Sequence, residues 1–302
     1  MAGRTGRAAG LSHRPCQPRG HRRPVRCRGD LRQTRRHAGA ARRTGRRHGL
    51  TRVELDATFF ALAVPAVIFA GISKGGFGSG AAFAAAPLLA LVVPPQLAVG
   101  VMLPLLMLMD IANLRPYWRK WSWPDARALM IGMVPGVVLG VILFRYTSDD
   151  AVRLAIGAIA LGFVAFQIGR GQGWITVPPR PFSANRAMGW GAVSGFTSFV
   201  SHAGGPPAAV HLLGQQLSKE AYQGTTVIIF WWVNVLKFFP YLALGLFTRE
   251  TAVANLILAP VALAGTFIGV WAHRVVPEVL FFRITYVLLT ITGAKLIWDA
   301  LV

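Results

Sequence analysis

Ten apolar runs follow one another between residues 57 and 300, separated by short polar or basic stretches, and this succession leaves few folds open to the chain. They cover residues 57–73, 77–93, 96–114, 128–144, 151–169, 187–201, 203–217, 221–246, 251–272 and 279–300. A hydrocarbon core of ~30 Å takes about 20 residues of helix, so several runs only just suffice. The first, second, sixth and seventh read as hairpins or broken helices. With 54% hydrophobic and 14% charged residues, against roughly 25% charged in an ordinary soluble domain, the composition runs against a soluble enzyme. The 33 glycines and 9 tryptophans suit helices that approach closely inside a bilayer and anchor at its interfaces. The expected fold is an all-α membrane protein.

The sequence also repeats itself. At an offset of 124, Gly71 falls on Gly195, Gly80 on Gly204, Ala84 and Ala85 on Ala208 and Ala209, and Leu88 and Leu89 on Leu212 and Leu213. The register continues through Gly100 on Gly224 to Pro116 and Tyr117 on Pro240 and Tyr241. After a five-residue shift, Gly136 and Gly140 fall on Gly265 and Gly269, and Arg145 on Arg274. Both halves thus carry a small-xxx-small packing face at the same place. Five segments per half is odd, which predicts two inverted repeats of five about an axis in the membrane plane. The expected organisation is a first repeat over 53–170, a cytoplasmic linker over 171–186 and a second repeat over 187–302.

The net charge of +21 suggests nucleic acid until it is divided by position. Residues 1–52 hold 16 arginines and one acid, Asp30, whereas the body holds 16 Lys+Arg against 10 Asp+Glu. Without an apolar stripe, 1–52 reads as a disordered Arg-rich extension, and it lacks the h-region of a signal peptide. The expectation is a misassigned gene start, with Val53 the initiator. A basic arm for RNA or anionic lipid and a zinc site from His13, Cys16, His21 and Cys27 are the alternatives, although that spacing matches no standard ligand pattern. Both cysteines lie there, so the body carries no thiol chemistry. Placing Arg115, Arg119, Lys120 and Arg127 inside puts ten loop cations inside and four outside, as the positive-inside rule requires.

Chemistry concentrates in two glycine-rich breaks. The first runs Gly71-Ile-Ser-Lys-Gly-Gly-Phe-Gly-Ser-Gly80, and its repeat partner Gly195-Phe-Thr-Ser-Phe-Val-Ser-His-Ala-Gly-Gly-Pro-Pro207. Irregular backbone at membrane depth is tolerated only in protein or beside a wet cavity, and its freed amides and helix N-termini favour anions. Lys74 adds a cation, while Ser79, Thr197, Ser198, Ser201 and His202 add polar donors. The competing reading is that these glycines serve only tight packing. The GxG string lacks the strand context and GK[ST] ending of a nucleotide loop.

Lys74, Asp110 and Lys237 are the ionisable groups inside apolar segments, where a charge costs at least ~2.5 kcal/mol and calls for a partner or a pathway. The repeat sets Asp110 opposite Asn234 and Asn113 opposite Lys237. If the third and eighth segments cross there, Asp110 reaches Lys237 as a neutralising ion pair or a proton-coupling pair. His202 suits proton handling or packing, and His211 and His273 read as packing or interface residues. No catalytic constellation, cofactor motif or metal site is apparent in the body.

Lys74-Gly-Gly-Phe-Gly-Ser-Gly80 followed by Pro87-Leu-Leu, and Ser201-His-Ala-Gly-Gly-Pro-Pro207 followed by Gly224-Thr-Thr-Val, resemble the sulfite exporter TauE/SafE family of bacterial membrane transporters. The likeness spans residues 55–302, including the loop Tyr117-Trp-Arg-Lys-Trp-Ser-Trp. It implies a multi-pass inner-membrane carrier of small sulfur-containing anions such as sulfite or organosulfonates. It carries a binding role onto Ser73, Lys74, Gly75, Gly76, Gly78 and Ser79, and onto Thr197, Ser198, His202, Gly204 and Gly205. Many members have a plain run of glycines with small apolar neighbours in the first motif, whereas here Ser73-Lys74 precedes it, so the fixed cation bears on anion preference. The expected function is a secondary transporter working by alternating access, an exporter by the resemblance. The alternatives are a carrier of other organic anions and a scaffold or biogenesis protein that moves no solute. Expected partners are the anion and the bilayer, with a homodimer open and no nucleic acid.

Overall fold

The computed structural model describes residues 55–77 and 81–302. The readings on residues 1–52, Val53, Gly78, Ser79 and the side chain of His273 lie outside what it describes. Ten α-helices are present among the described residues: α1 Ala57–Ile72, α2 Ala85–Leu89, α3 Pro95–Leu114, α4 Trp123–Tyr146, α5 Asp149–Gly171, α6 Ala184–Ser201, α7 Gly205–Gly214, α8 Lys219–Ala243, α9 Arg249–Val275 and α10 Glu278–Leu301. A π turn, Ser73–Phe77, prolongs α1, and a 3-10 turn, Ala82–Ala84, leads into α2.

Seven of these helices are long and apolar enough to cross a membrane: α1 with its π turn, α3, α4, α5, α8, α9 and α10. The first segment, expected to be short, reaches spanning length because its helix runs on through Phe77. The second, sixth and seventh segments are not such spans, since α2 and α7 are only 5 and 10 residues long and α6 is 18 residues rich in Gly, Ser and Thr.

Helix starts follow their capping residues. Asp56 accepts from Phe59 N–H at 2.8 Å, Ser148 and Ser218 accept from Ala151 and Ala221, and Thr248 with Thr251 forms a reciprocal capping box. Each device satisfies an amide that helix geometry leaves without a partner. Outward faces carry Leu256, Phe267, Val287 and Ile291, all exposed. In a spanning helix such a face belongs against lipid, while Trp118, Trp123, Trp174 and Trp298 lie exposed near helix ends, where indole rings suit the interface.

Glycine sets the closest packings. A Cβ on Gly195 would lie 2.3 Å from the Met133 carbonyl oxygen, and one on Gly136 2.0 Å from that of Ala192, so α4 and α6 meet backbone to backbone. The same holds for α1 and α9: a Cβ on Gly71 would lie 2.9 Å from Ala262 O, and one on Gly265 2.9 Å from Ile68 O. Small residues let dispersion act between main chains where lipid supplies no hydrophobic drive.

Contacts also set directions. α3 and α8 run antiparallel: Gly100 meets Leu246, Asp110 bonds Asn234, and Gly224 meets Lys120. α5 and α10 are antiparallel, with Gly157 against Ile297 and Gln167 donating to Tyr286 Oη at 3.1 Å. α4 runs parallel to α8, from Ser122 N–H on Thr225 Oγ1 (2.9 Å) to Phe144 beside Tyr241, and parallel to α6, from Leu129 against Gly191 to Gly140 against Phe199. α1 is parallel to α9, Ile68 meeting Gly265 and Ile72 meeting Gly269.

Candidate functional site

The two breaks come together. A cavity of about 20 Å³ is lined by Lys74 from the π turn, Ser198 and His202 from the end of α6, Asn234 from α8 and Leu106 from α3, with Phe83 and Phe230 closing it. That volume holds about one water, so the site is occluded.

Two hydrogen-bonded groups surround it. In the first, Lys74 Nζ forms a buried ion pair with Asp110 Oδ1, and Asn234 Nδ2 donates to Asp110 Oδ2 at 2.6 Å. In the second, Lys237 Nζ donates to Ser198 O and Ser198 Oγ, each at 3.0 Å, and lies 2.9 Å from His202 Nδ1. His202 Nε2 lies 3.0 Å from the Val99 carbonyl. A carbonyl only accepts, so Nε2 carries the proton and Nδ1 accepts from Lys237.

The expected Asp110–Lys237 pair is therefore not formed. Lys74 reaches the carboxylate from the π turn, Asn234 takes its second oxygen, and Lys237, three residues further along α8, meets the end of α6 instead. Around one cavity stand two buried lysines and, among the described residues, one carboxylate.

The second break is built for this. His202 takes a left-handed backbone, φ 59°, and its N–H bonds Ser198 O while Ala203 N–H bonds Thr197 O, which ends α6. Such a turn satisfies terminal carbonyls and redirects the chain. Tyr241 Oη adds a bond to Phe199 O at 2.5 Å. The α7 N-terminus offers an anion little, because Pro206 and Pro207 follow Gly205 and carry no N–H. Among the described residues, the polar lining of the cavity is made of side chains.

Of the residues singled out from the sequence, Lys74, Ser198, His202 and Asn234 line the cavity, and Asp110 and Lys237 stand behind them. Others serve packing. A Cβ on Gly75 would lie 2.1 Å from Thr266 O of α9, and one on Gly204 2.8 Å from Ser198 Cβ. Thr197 Oγ1 donates to Ala203 O at 2.9 Å, Ser201 Oγ donates to Thr197 O at 3.2 Å, and Ser73 is buried in the turn. Gly76 is half-buried and does not line the cavity. Gly205 lines a second, larger cavity. His211 is a buried partner of Asp125, its Nε2 2.7 Å from Oδ1, while Ser122 Oγ donates to the other carboxylate oxygen, Oδ2, at 2.6 Å.

Sequence reasoning missed Phe230, which lies in uniformly apolar text. The available signal was the spacing of Tyr222, Thr226, Phe230 and Asn234, four residues apart and so on one face of a helix.

Neither the curated proteins nor the solved structures contain a match to the chain. The model of the family described as Sulfite exporter TauE/SafE matches residues 63–296, and the chain belongs to that family.

Proposed function

We propose that this protein is a secondary transporter, an exporter, of a small sulfur-containing anion such as sulfite or an organosulfonate in a bacterial inner membrane. The family is one of membrane transporters for sulfite-type anions, and the seven spanning helices agree with a multi-pass chain. The observation that carries the reading is the cavity between the two breaks, where Lys74, Ser198, His202 and Asn234 converge with Lys237 behind. Two lysines stand around the cavity against one carboxylate among the described residues, and an anion would supply the balancing partner for the second of them.

Alternating access would come from two inverted repeats, residues 53–170 and 187–302, joined by 171–186. Supporting this, Asp110 and Asn234, which correspond under the repeat, bond each other, and the corresponding helices α3 and α8 run antiparallel, as do α5 and α10. The α1–α9 contact is matched by α4–α6 through corresponding glycines.

Ligand-dependent unfolding of the purified protein tests the reading, because a ligand that binds only the native state raises its stability. Sulfite, sulfate, thiosulfate, taurine and sulfoacetate are compared. A sulfur anion should raise the unfolding temperature of the wild type and leave Lys74→Ala unmoved. A shift only with non-sulfur organic anions supports the broader carrier, and no shift with any anion removes the transport reading in favour of a scaffold.

A further inference from the structure

The larger cavity, about 650 Å³, lies along α8 from exposed Lys219 to Phe230, and exposed Arg170 also lines it. Lys219 and Phe230 are eleven residues apart on one helix, so it is roughly 16 Å deep. On the α8 face that lines it, Lys219, Tyr222, Gln223 and Thr226 are polar, and beyond Phe230 the same face continues with Asn234 and Lys237. One apolar side chain interrupts a polar stripe.

Phe230 is also the residue common to the linings of both cavities. On one side is a space large enough for a small organic anion, and on the other a pocket of about 20 Å³ that no sulfur oxyanion fits without expansion. Phe77, which also lines the larger cavity, is stacked on Phe281 with ring centroids 4.1 Å apart. Phe230 is packed in the main core but makes no ring contact among the described residues. Its departure would join the cavities and supply the missing volume at one stroke.

We propose that Phe230 is the inner gate of an anion conduit that descends one face of α8, from a basic vestibule at Arg170 and Lys219 to the pocket of Lys74, Ser198, His202 and Asn234. The inference rests on the transport reading, since it names the path by which that pocket is reached. Tyr222, Gln223 and Thr226 offer hydrogen bonds along the way, and Gln167 with Tyr286 lines the opposite wall.

The test uses the full chain with Cys16→Ser and Cys27→Ser, which removes both native thiols, and Ser198→Cys as a reporter inside the pocket. The probe is a membrane-impermeant methanethiosulfonate bearing a sulfonate, applied to vesicles of each orientation. Reagent from the face carrying Arg170 and Lys219 should modify the reporter, Phe230→Ala should speed the reaction by about tenfold, and Phe230→Trp should slow it. Equal rates in all three, or modification only from the opposite face, overturns the gate. Protection of the reporter by sulfoacetate separates the two claims. Protection without any effect at Phe230 sinks the gate and leaves the anion site, whereas a gate effect without protection sinks the anion site and leaves the gate.

Discussion

Gly75→Ala tests whether the position of Lys74 depends on helix packing. Gly75 sits in the π turn beside Lys74, and a Cβ there would lie 2.1 Å from the Thr266 carbonyl oxygen of α9, where ordinary contact begins near 3.4 Å. Relief needs the turn to move about 1.3 Å, and neither main chain is free to yield. Overpacking of this kind costs up to ~3 kcal/mol, offset by the ~1 kcal/mol that alanine gains over glycine in helical backbone. The net loss of ~2 kcal/mol lowers the unfolding temperature by roughly 4–8 °C for a body of this size. A binding site tolerates displacements of only ~0.5 Å, so the move also draws Lys74 away from Asp110 and removes the anion-induced stabilisation. Thermal unfolding in detergent, with and without anion, measures both effects. Gly162→Ala is the control, because nothing lies within 4 Å of a Cβ at that position. Were Gly75→Ala to unfold at the control's temperature, or to keep the full anion response, the argument from packing to site would fail.

Three further outcomes are expected. Asp110→Asn strips Lys74 of its counter-charge at ~3–5 kcal/mol, and adding Lys74→Met should restore most of that loss, since removing both partners of a buried pair costs far less than removing one; a double variant as unstable as the sum of the singles contradicts the pair. Tyr241→Phe leaves the Phe199 carbonyl without its hydroxyl donor and should cost ~1–3 kcal/mol, read by chemical unfolding, with no change in which anion binds. Lys237→Met removes the ammonium that holds Ser198 and His202 and should weaken anion binding by at least about tenfold in an equilibrium titration, with affinity at the wild-type value counting against its role.

Much of this architecture can be read from the chain because lipid enforces it. Spanning helices declare themselves by length and apolarity, and glycines that correspond between the two halves mark the two tight interfaces that Gly71 with Gly265 and Gly136 with Gly195 make. What stayed hidden has a physical reason in each case. That Gly75 and Gly204 pack tightly was hidden because close packing and anion binding both call for small side chains, and only the neighbours of an imagined Cβ bring the packing out. The partner of Asp110 depended on reach across three dimensions, where a lysine on the π turn displaced one on α8. The length of α1 followed from its helix continuing through glycines that the sequence marks as breakers.

The helix directions have a topological consequence that hydropathy alone would miss. α4 and α5 are joined by two residues, as are α9 and α10, so each pair turns back on itself. Combined with the antiparallel pairing of α5 with α10 and of α3 with α8, and with α1 beside α9 and α4 beside α8 in parallel, this makes α1 and α3 travel the same way. The chain is therefore back at its point of departure where α3 begins, although α2 is too short to register as a crossing. An odd tally of seven would send Leu55 and Val302 to different compartments, whereas the directions return them to a single one, so epitopes attached at either edge of the body would face the same solution.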